Sequence, residues 1–250
     1  MNPVEVYDLF APFYDSYVAG FNADLPVYTQ LCRGCHSVVE VGCGSGRVLQ
    51  SLLDSDFELT GIDISPAMLS LAVERLAVFV ASGRLKLINH DLCHASLAQA
   101  YDLAIVSYYT FNYVLSDSEC NAFLANSYAS LKGNGKIVMD LFYPRTLAKP
   151  ETDDQWTTET FLQDGNAVTL RQKRHVVDNI ETRTQVFSTG DSHQEIVTRR
   201  RYYDKKEVLE LLERAGFTQV MFAREYDSAS FQPIDRNEPT TSGFVVSGLK

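Results

Sequence analysis

Val38-Val39-Glu40-Val41-Gly42-Cys43-Gly44-Ser45-Gly46 is an apolar run broken by one acid and closed by glycines at alternate positions, and it feeds directly into the helix-like Val48-Leu49-Gln50-Ser51-Leu52-Leu53. A run that stays apolar instead of alternating predicts a strand buried on both faces, as in a parallel sheet covered by helices. The glycines predict a turn whose backbone a ligand can approach closely. From Val38 to Asp140 strand-like and helix-like patterns alternate in five βα steps. The fold class is therefore α/β, a doubly wound and mostly parallel sheet with right-handed crossovers.

Two acids fall where a ligand on that turn would meet them. Gly61-Ile62-Asp63-Ile64-Ser65 ends a second strand roughly 20 residues beyond the turn, where a carboxylate accepts hydrogen bonds from both hydroxyls of a ribose. Leu87-Ile88-Asn89-His90-Asp91-Leu92 ends a third, where Asp91 would accept from the exocyclic amine of an adenine and Leu92 would offer a backbone N–H and an apolar wall. The spacing is not that of a dinucleotide site, because Arg47 fills the place of the last glycine in G-x-G-x-x-G, and no Gly-Lys-Ser/Thr follows to make a phosphate loop. A nucleoside is the ligand these residues describe.

On these motifs the chain resembles the class I S-adenosylmethionine-dependent methyltransferases of small-molecule type. Glu40 to Gly46 matches the first family motif, Gly61 to Ser65 the second, Asn89 to Leu92 the third and Tyr101 to Val106 the fourth strand. Leu131-Lys132-Gly133-Asn134-Gly135-Lys136-Ile137-Val138 matches the "LkpGG" approach to the fifth strand, with Asn134 where a second glycine is usual. The resemblance implies a Rossmann-like seven-stranded sheet of order 3-2-1-4-5-7-6 with the last strand antiparallel. It implies S-adenosyl-L-methionine as cofactor, held by Tyr14, Glu40, Gly42, Gly44, Asp63, Ile64, Met68, Asp91, Leu92 and Ser107, and no metal. Tyr7-Asp8-Leu9-Phe10-Ala11-Pro12-Phe13-Tyr14-Asp15-Ser16-Tyr17 is similar to the "YDxxAxxYDxxY" opening of such enzymes, in which a lid covers the cofactor and a tyrosine at the Tyr14 position contacts the methionine portion. Residues 1–35 are accordingly expected to form a helical lid on a single domain of residues 1–250.

Methyl transfer from a sulfonium asks the protein mainly to align the reactants and exclude water. The candidate catalytic residues are therefore aligning groups: Tyr14 on the lid, and Tyr108 and Asn112 in the aromatic segment Ser107-Tyr108-Tyr109-Thr110-Phe111-Asn112-Tyr113 after the fourth strand. That segment lacks the Asp/Asn-Pro-Pro-Tyr of enzymes that methylate adenine in nucleic acid, and it has no carboxylate to begin a catechol-type magnesium site. The lid and the insert described below resemble glycine, sarcosine and amino-sugar N-methyltransferases, so a nitrogen acceptor is expected. Oxygen or carbon methylation, a non-methyl transfer or cyclisation with the same cofactor, and a non-catalytic sensor stay open on the residues alone.

A formal charge of −10 and a sequence pI near 4.9 disfavour partners gripped through phosphates, so the expected partner is a small-molecule acceptor, with no nucleic acid and no membrane. No apolar stretch approaches bilayer-spanning length and Met1-Asn2-Pro3-Val4-Glu5 lacks a secretory start, which predicts a cytoplasmic protein. Cys32-Arg33-Gly34-Cys35-His36 has the spacing of haem attachment or of half a zinc site, but no second Cys or His pair follows at zinc spacing, and coincidence is the reading.

Residues 151–203 read as an antiparallel β meander inserted after strand 5, with strands at Val168–Leu170, Arg174–Val177, Glu181–Phe187 and Gln194–Tyr203 and hairpin turns at Asp178-Asn179 and Gly190-Asp191. On the last strand Arg200 and Tyr202 share one face, and Arg199, Arg201 and Tyr203 the other. A clamp for a substrate carboxylate or phosphate is one reading of this run. A solvated charged face or a homodimer contact is the plainer one.

Overall fold

A computed structural model describes residues 2–54, 56–144, 154–224, 226–235 and 238–250. β1 (Ser37–Val41), every residue of it buried, lies inside a seven-stranded sheet between β2 (Glu58–Asp63) and β4 (Tyr101–Val106), both parallel to it. β3 (Leu85–Asn89) extends one side and β5 (Leu131–Leu141) the other, again in parallel. β11 (Phe244–Leu249) pairs antiparallel with β5 and with the edge strand β10 (Thr218–Arg224). The order β10-β11-β5-β4-β1-β2-β3 is the expected 3-2-1-4-5-7-6.

The helices begin and end as their boundary residues dictate. In α4 (Pro66–Arg75) the Ser65 hydroxyl accepts from Met68 N at 3.1 Å, with Pro66 in the first turn. α6 (Asp117–Ala129) carries a Ser116/Glu119 capping box, and α7 (Lys205–Ala215) opens on Asp204 and stops at Gly216, whose φ is +101°. One expected βα step is missing: residues 90–100, between β3 and β4, contain no helix. Asp91 accepts from Cys93 N at 2.7 Å, and Asn89 Nδ2 donates to the Asp63 and Ile64 carbonyls, so short polar side chains hold the backbone in turns.

The insert is a separate four-stranded antiparallel sheet, β6 (Thr157–Gln163), β7 (Asn166–Val177), β8 (Ile180–Thr189) and β9 (Ser192–Arg201). Two of the expected strands are one: β7 runs without a break from Asn166 through Arg174 to Val177. β6, which the sequence reading left unassigned, pairs with β7 around Asp164-Gly165, both at positive φ. Its run of threonines has no apolar alternation, and what makes it a strand is its pairing. Residues 151–153, the start of the expected insert, lie outside the described residues.

The apolar half of the meander's inner face fixes α1 (Pro3–Tyr17) over the large sheet. Val6, Phe10 and Ala11 pack with Met68 of α4 and with Val168, Leu170, Phe187 and Ile196, and Phe13 stacks on Phe187 with ring centroids 4.5 Å apart. Each large side chain so buried contributes about 1.5–3 kcal/mol, enough to hold an amphipathic helix in place. No described helix is long and apolar enough to cross a membrane.

Candidate functional site

Where the sheet order reverses beside β1, the carboxyl ends of the strands open into a cavity of about 190 Å³, the place at which open α/β sheets bind ligands. Val41, Gly42 and Gly44 floor it, Asp63, Ile64 and Met68 wall one side, Asp91 and Leu92 come from the end of β3, and Tyr108, Thr110 and Tyr113 from the end of β4. The glycines are required individually. Gly42 and Gly44 hold φ of +70° and +53°, and a Cβ on Gly42 would sit 2.4 Å from Thr110 Oγ1.

Asp63 is set by the loop it faces. Its Oδ2 accepts from Gly44 N at 2.8 Å and its Oδ1 from Ser65 N at 2.9 Å, and the side chain lines the cavity. Burial raises its pKa, against which the backbone N–H groups of Ser65, Gly44 and Ile64 work. Asp91, less enclosed, accepts from Cys93 N and lies 2.8 Å from His94 Nδ1. Among the described residues no group of three or more His, Cys, Asp or Glu side chains is placed to hold a metal.

The sequence reading missed how the roof is latched. Asp8 of α1 accepts from Ser65 Oγ at 2.6 Å and from Ala67 N at 3.2 Å, at the positive end of α4. Asp15 accepts from Ser45 Oγ at 2.5 Å in the glycine loop and pairs with Arg75 at 2.5 Å. The signal was present in the repeat of Tyr7-Asp8 as Tyr14-Asp15 seven residues on, two helical turns along one face. That spacing directs the tyrosines into the cavity and the acids onto its rim. Arg47 clamps the next segment, donating to Asp24 at 2.8 and 2.6 Å and to the Phe21 carbonyl, with its guanidinium 5.4 Å from the centroids of Phe21 and Tyr108.

Tyr7, Tyr14, Tyr17, Tyr108 and Tyr113 all line the cavity. Burial pushes the phenols of Tyr7, Tyr14 and Tyr108 upward, so they stay protonated. Tyr108 and Tyr109 both lie in the left-handed region, φ +49° and +64°, a strained pair at the mouth of the site.

Of the residues singled out in the sequence, Tyr14, Gly42, Gly44, Asp63, Ile64, Met68, Asp91, Leu92 and Tyr108 meet on this cavity. Glu40, Ser107 and Asn112 do not line it. Asn112 is fully buried; its amide donates to the Phe142 and Arg201 carbonyls and its oxygen accepts from Phe142 N, so it joins the end of β5 to the meander instead of facing an acceptor. Ser107 donates to Glu40 Oε1 at 2.6 Å behind the glycine turn. Glu40 Oε2 is buried with no hydrogen-bond partner placed among the described residues, and burial raises that carboxyl to about 8. The arginine run of β9 is neither a clamp in this cavity nor simply solvated. Arg200 is buried against Glu181 and lies 3.8 Å above the Phe142 ring, while Arg201 pairs with Asp117 and Glu207.

A family model described as "Methyltransferase domain" matches residues 38–135. The chain is 31% identical over 176 residues to an uncharacterized methyltransferase, YrrT, of Bacillus subtilis (strain 168), covering 65% of this chain and 78% of that one. It is 28% identical over 196 residues to a carboxy-S-adenosyl-L-methionine synthase of Chromohalobacter salexigens, covering 75% of this chain and 63% of the relative. With a putative methyltransferase of Geobacillus sp. the match spans 50% of the relative's length at 23% identity, so the chain covers only half to under two thirds of some curated relatives. Two solved structures share its fold along nearly their whole length. An S-adenosylmethionine-dependent methyltransferase from Clostridium acetobutylicum superposes with a TM-score of 0.76 at 14% identity, covering 97% of this chain and 98% of that one. An S-adenosylmethionine-bound amino pentose methyltransferase from Micromonospora echinaspora gives 0.69 at 18% identity, covering 92% and 93%.

Proposed function

Because this chain belongs to the class I S-adenosylmethionine-dependent methyltransferases, we propose that it is an enzyme that binds S-adenosylmethionine beneath α1 and methylates a small molecule, at nitrogen, by direct displacement. The observation that carries the reading is the junction of two unlike walls in one cavity: Asp63, Asp91 and the bare glycine turn at one end, and the tyrosine cluster at the other. The residues fit the cofactor. The Asp63 carboxylate lines the cavity as an acceptor for sugar hydroxyls, Leu92 and Ile64 give the base an apolar slot, and above Gly44 the first atoms a side chain would meet belong to the Tyr14 ring at 3.6 Å. S-adenosylmethionine, when bound, supplies a methyl group on a sulfonium that is already an activated leaving group.

What remains for the protein is placement. The faces of Tyr7, Tyr14, Tyr17, Tyr108 and Tyr113 attract cationic groups, and α1 keeps water out. The neutral hydroxyls of Tyr7, Tyr14 and Tyr108 accept the N–H of an amine and so aim its lone pair; with pKa values pushed up by burial they orient the nucleophile and do not deprotonate it. The acceptor therefore enters as the free amine. A net charge of −10 and a cavity roofed by α1 support a small acceptor over a nucleic acid. The amino pentose acted on by one structural neighbour is consistent with nitrogen.

Incubating the full chain with methyl-labelled S-adenosylmethionine and a panel of amines, amino sugars, amino acids and hydroxylated aromatics tests this. The expected result is label in an amine together with S-adenosylhomocysteine. Label only in oxygen or carbon acceptors would remove the nitrogen assignment, methylthioadenosine as product would replace methyl transfer by another reaction, and binding without transfer would make the chain a sensor.

A further inference from the structure

The meander's inner face changes character along its length. Register pairs Leu170 with Phe187 and Gln172 with Gln185; the next inward row sets Arg174 directly opposite Arg183, and the row beyond sets Glu181 opposite Arg200. Like charges facing each other across an antiparallel pair repel, and natural sheets avoid the arrangement unless something compensates. Here a single carboxylate does so. Glu181 is 1% exposed and serves three groups at once: Arg200 at 2.8 Å, Arg183 at 3.1 Å and the Tyr202 hydroxyl, which donates to it. The side chain of Arg174 has no hydrogen-bond or ion-pair partner among the described residues. In a chain of net charge −10, two guanidinium groups thus share one buried carboxylate, and a third, that of Arg174, stands opposite Arg183 without joining them.

This positive recess adjoins the tyrosine end of the cavity. Arg183 Nη1 lies 3.4 Å from the Tyr17 hydroxyl, and Arg183 acts electrostatically on Tyr113, both cavity residues. Arg200 is locked between Glu181 and the Phe142 ring, which leaves Arg183 and Arg174 as the guanidiniums with donors to spare.

We propose that Arg174 and Arg183 form an anion subsite that receives a carboxylate or phosphoryl group carried by the methyl acceptor, beside the amine held at the tyrosine wall. The inference rests on the methyltransferase reading above and narrows its substrate to amines bearing an oxyanion. Planar, forked guanidinium groups are suited to either oxyanion, and a bound one adds the negative charge that Glu181, paired with Arg183 and Arg200, does not bring to Arg174.

The test is calorimetric titration of the full chain, saturated with S-adenosylhomocysteine, with pyrophosphate in one arm and malonate in the other. At least one probe should bind at one per chain, and the arm that binds more tightly identifies the group as phosphoryl or carboxylate. Arg174→Gln, which disturbs no pair among the described residues, and Arg183→Gln should each weaken it by about tenfold or more, the scale of one lost charge-assisted hydrogen bond, with partial recovery in Arg183→Lys. Arg171→Gln, on the outward face of the same strand over Trp156, should leave it unchanged. No binding of either probe, equal binding in Arg174→Gln, or an equal loss in Arg171→Gln overturns the subsite. Failure of S-adenosylhomocysteine itself to bind overturns the proposed function instead, and is read in the first titration.

Discussion

Asp63→Asn is the most informative single change, because it keeps the shape of the side chain and alters only what it can accept. In the folded chain both carboxylate oxygens are engaged, one by Gly44 N at 2.8 Å and the other by Ser65 N at 2.9 Å. An asparagine has one acceptor and one donor at the same positions, so whichever way the amide turns, one backbone N–H faces an –NH₂ group. A buried donor left unpaired costs about 1–3 kcal/mol. The same turn also removes one of the two acceptors available to ribose, and a hydrogen bond to a charged acceptor is worth about 1.5–3 kcal/mol, tenfold or more in affinity. Urea unfolding without ligand measures the first quantity and titration with S-adenosylhomocysteine the second. Both should fall in the variant. If Asp63→Asn unfolds at the wild-type midpoint and binds S-adenosylhomocysteine as tightly as wild type, the carboxylate neither organises the glycine turn nor grips the sugar.

Other consequences are as direct. Gly42→Ala adds a Cβ 2.4 Å from Thr110 Oγ1 at φ +70°, whereas Gly20→Ala, at φ +86°, meets nothing within 4 Å; both should lose about 1–2 kcal/mol in urea unfolding to left-handed strain, but only Gly42→Ala should lose more than that and also lose S-adenosylhomocysteine binding. Burial raises the Glu40 carboxyl from 4.5 to about 8, so between those values the folded chain keeps a proton that the unfolded chain has released. Stability should therefore fall as pH rises through that window, and Glu40→Gln should flatten the slope of urea midpoints between pH 5 and pH 8; an unchanged slope would remove Glu40 as its source. Asp15→Asn weakens the tie of α1 to Ser45 and Arg75 and should speed hydrogen exchange in the second half of α1 while leaving β1 and β4 protected; uniform exchange in both proteins would mean that packing on Phe187 alone holds the helix.

The large sheet and one end of the cavity were legible in the sequence because local chemistry forces them. An apolar run such as Val38–Val41 must be buried on both faces, bare glycines at 42 and 44 must turn, and Asp63 follows at the end of the next strand. What the sequence did not show depends on contacts between distant segments. Asn112 has the composition of an acceptor-aligning residue, but Phe142 and Arg201, 30 and 89 residues away, occupy its amide. Arg174 and Arg183 become a pair only through the β7–β8 register, and β6 is a strand only because β7 runs beside it. The two aspartates of α1 lay in plain view, but their role needs the glycine loop and the N-terminus of α4 brought beneath them.

The claim on which the rest depends is that the strand tips around β1 hold one adenosine, and a crystal structure of the full chain with S-adenosylhomocysteine tests it most directly. Ribose hydroxyls are expected within about 3 Å of Asp63, the base beside Ile64 and Leu92, and the sulfur turned toward Tyr14 and Tyr17. A nucleoside bound elsewhere, or lying in this cavity with its sugar away from Asp63, would contradict it.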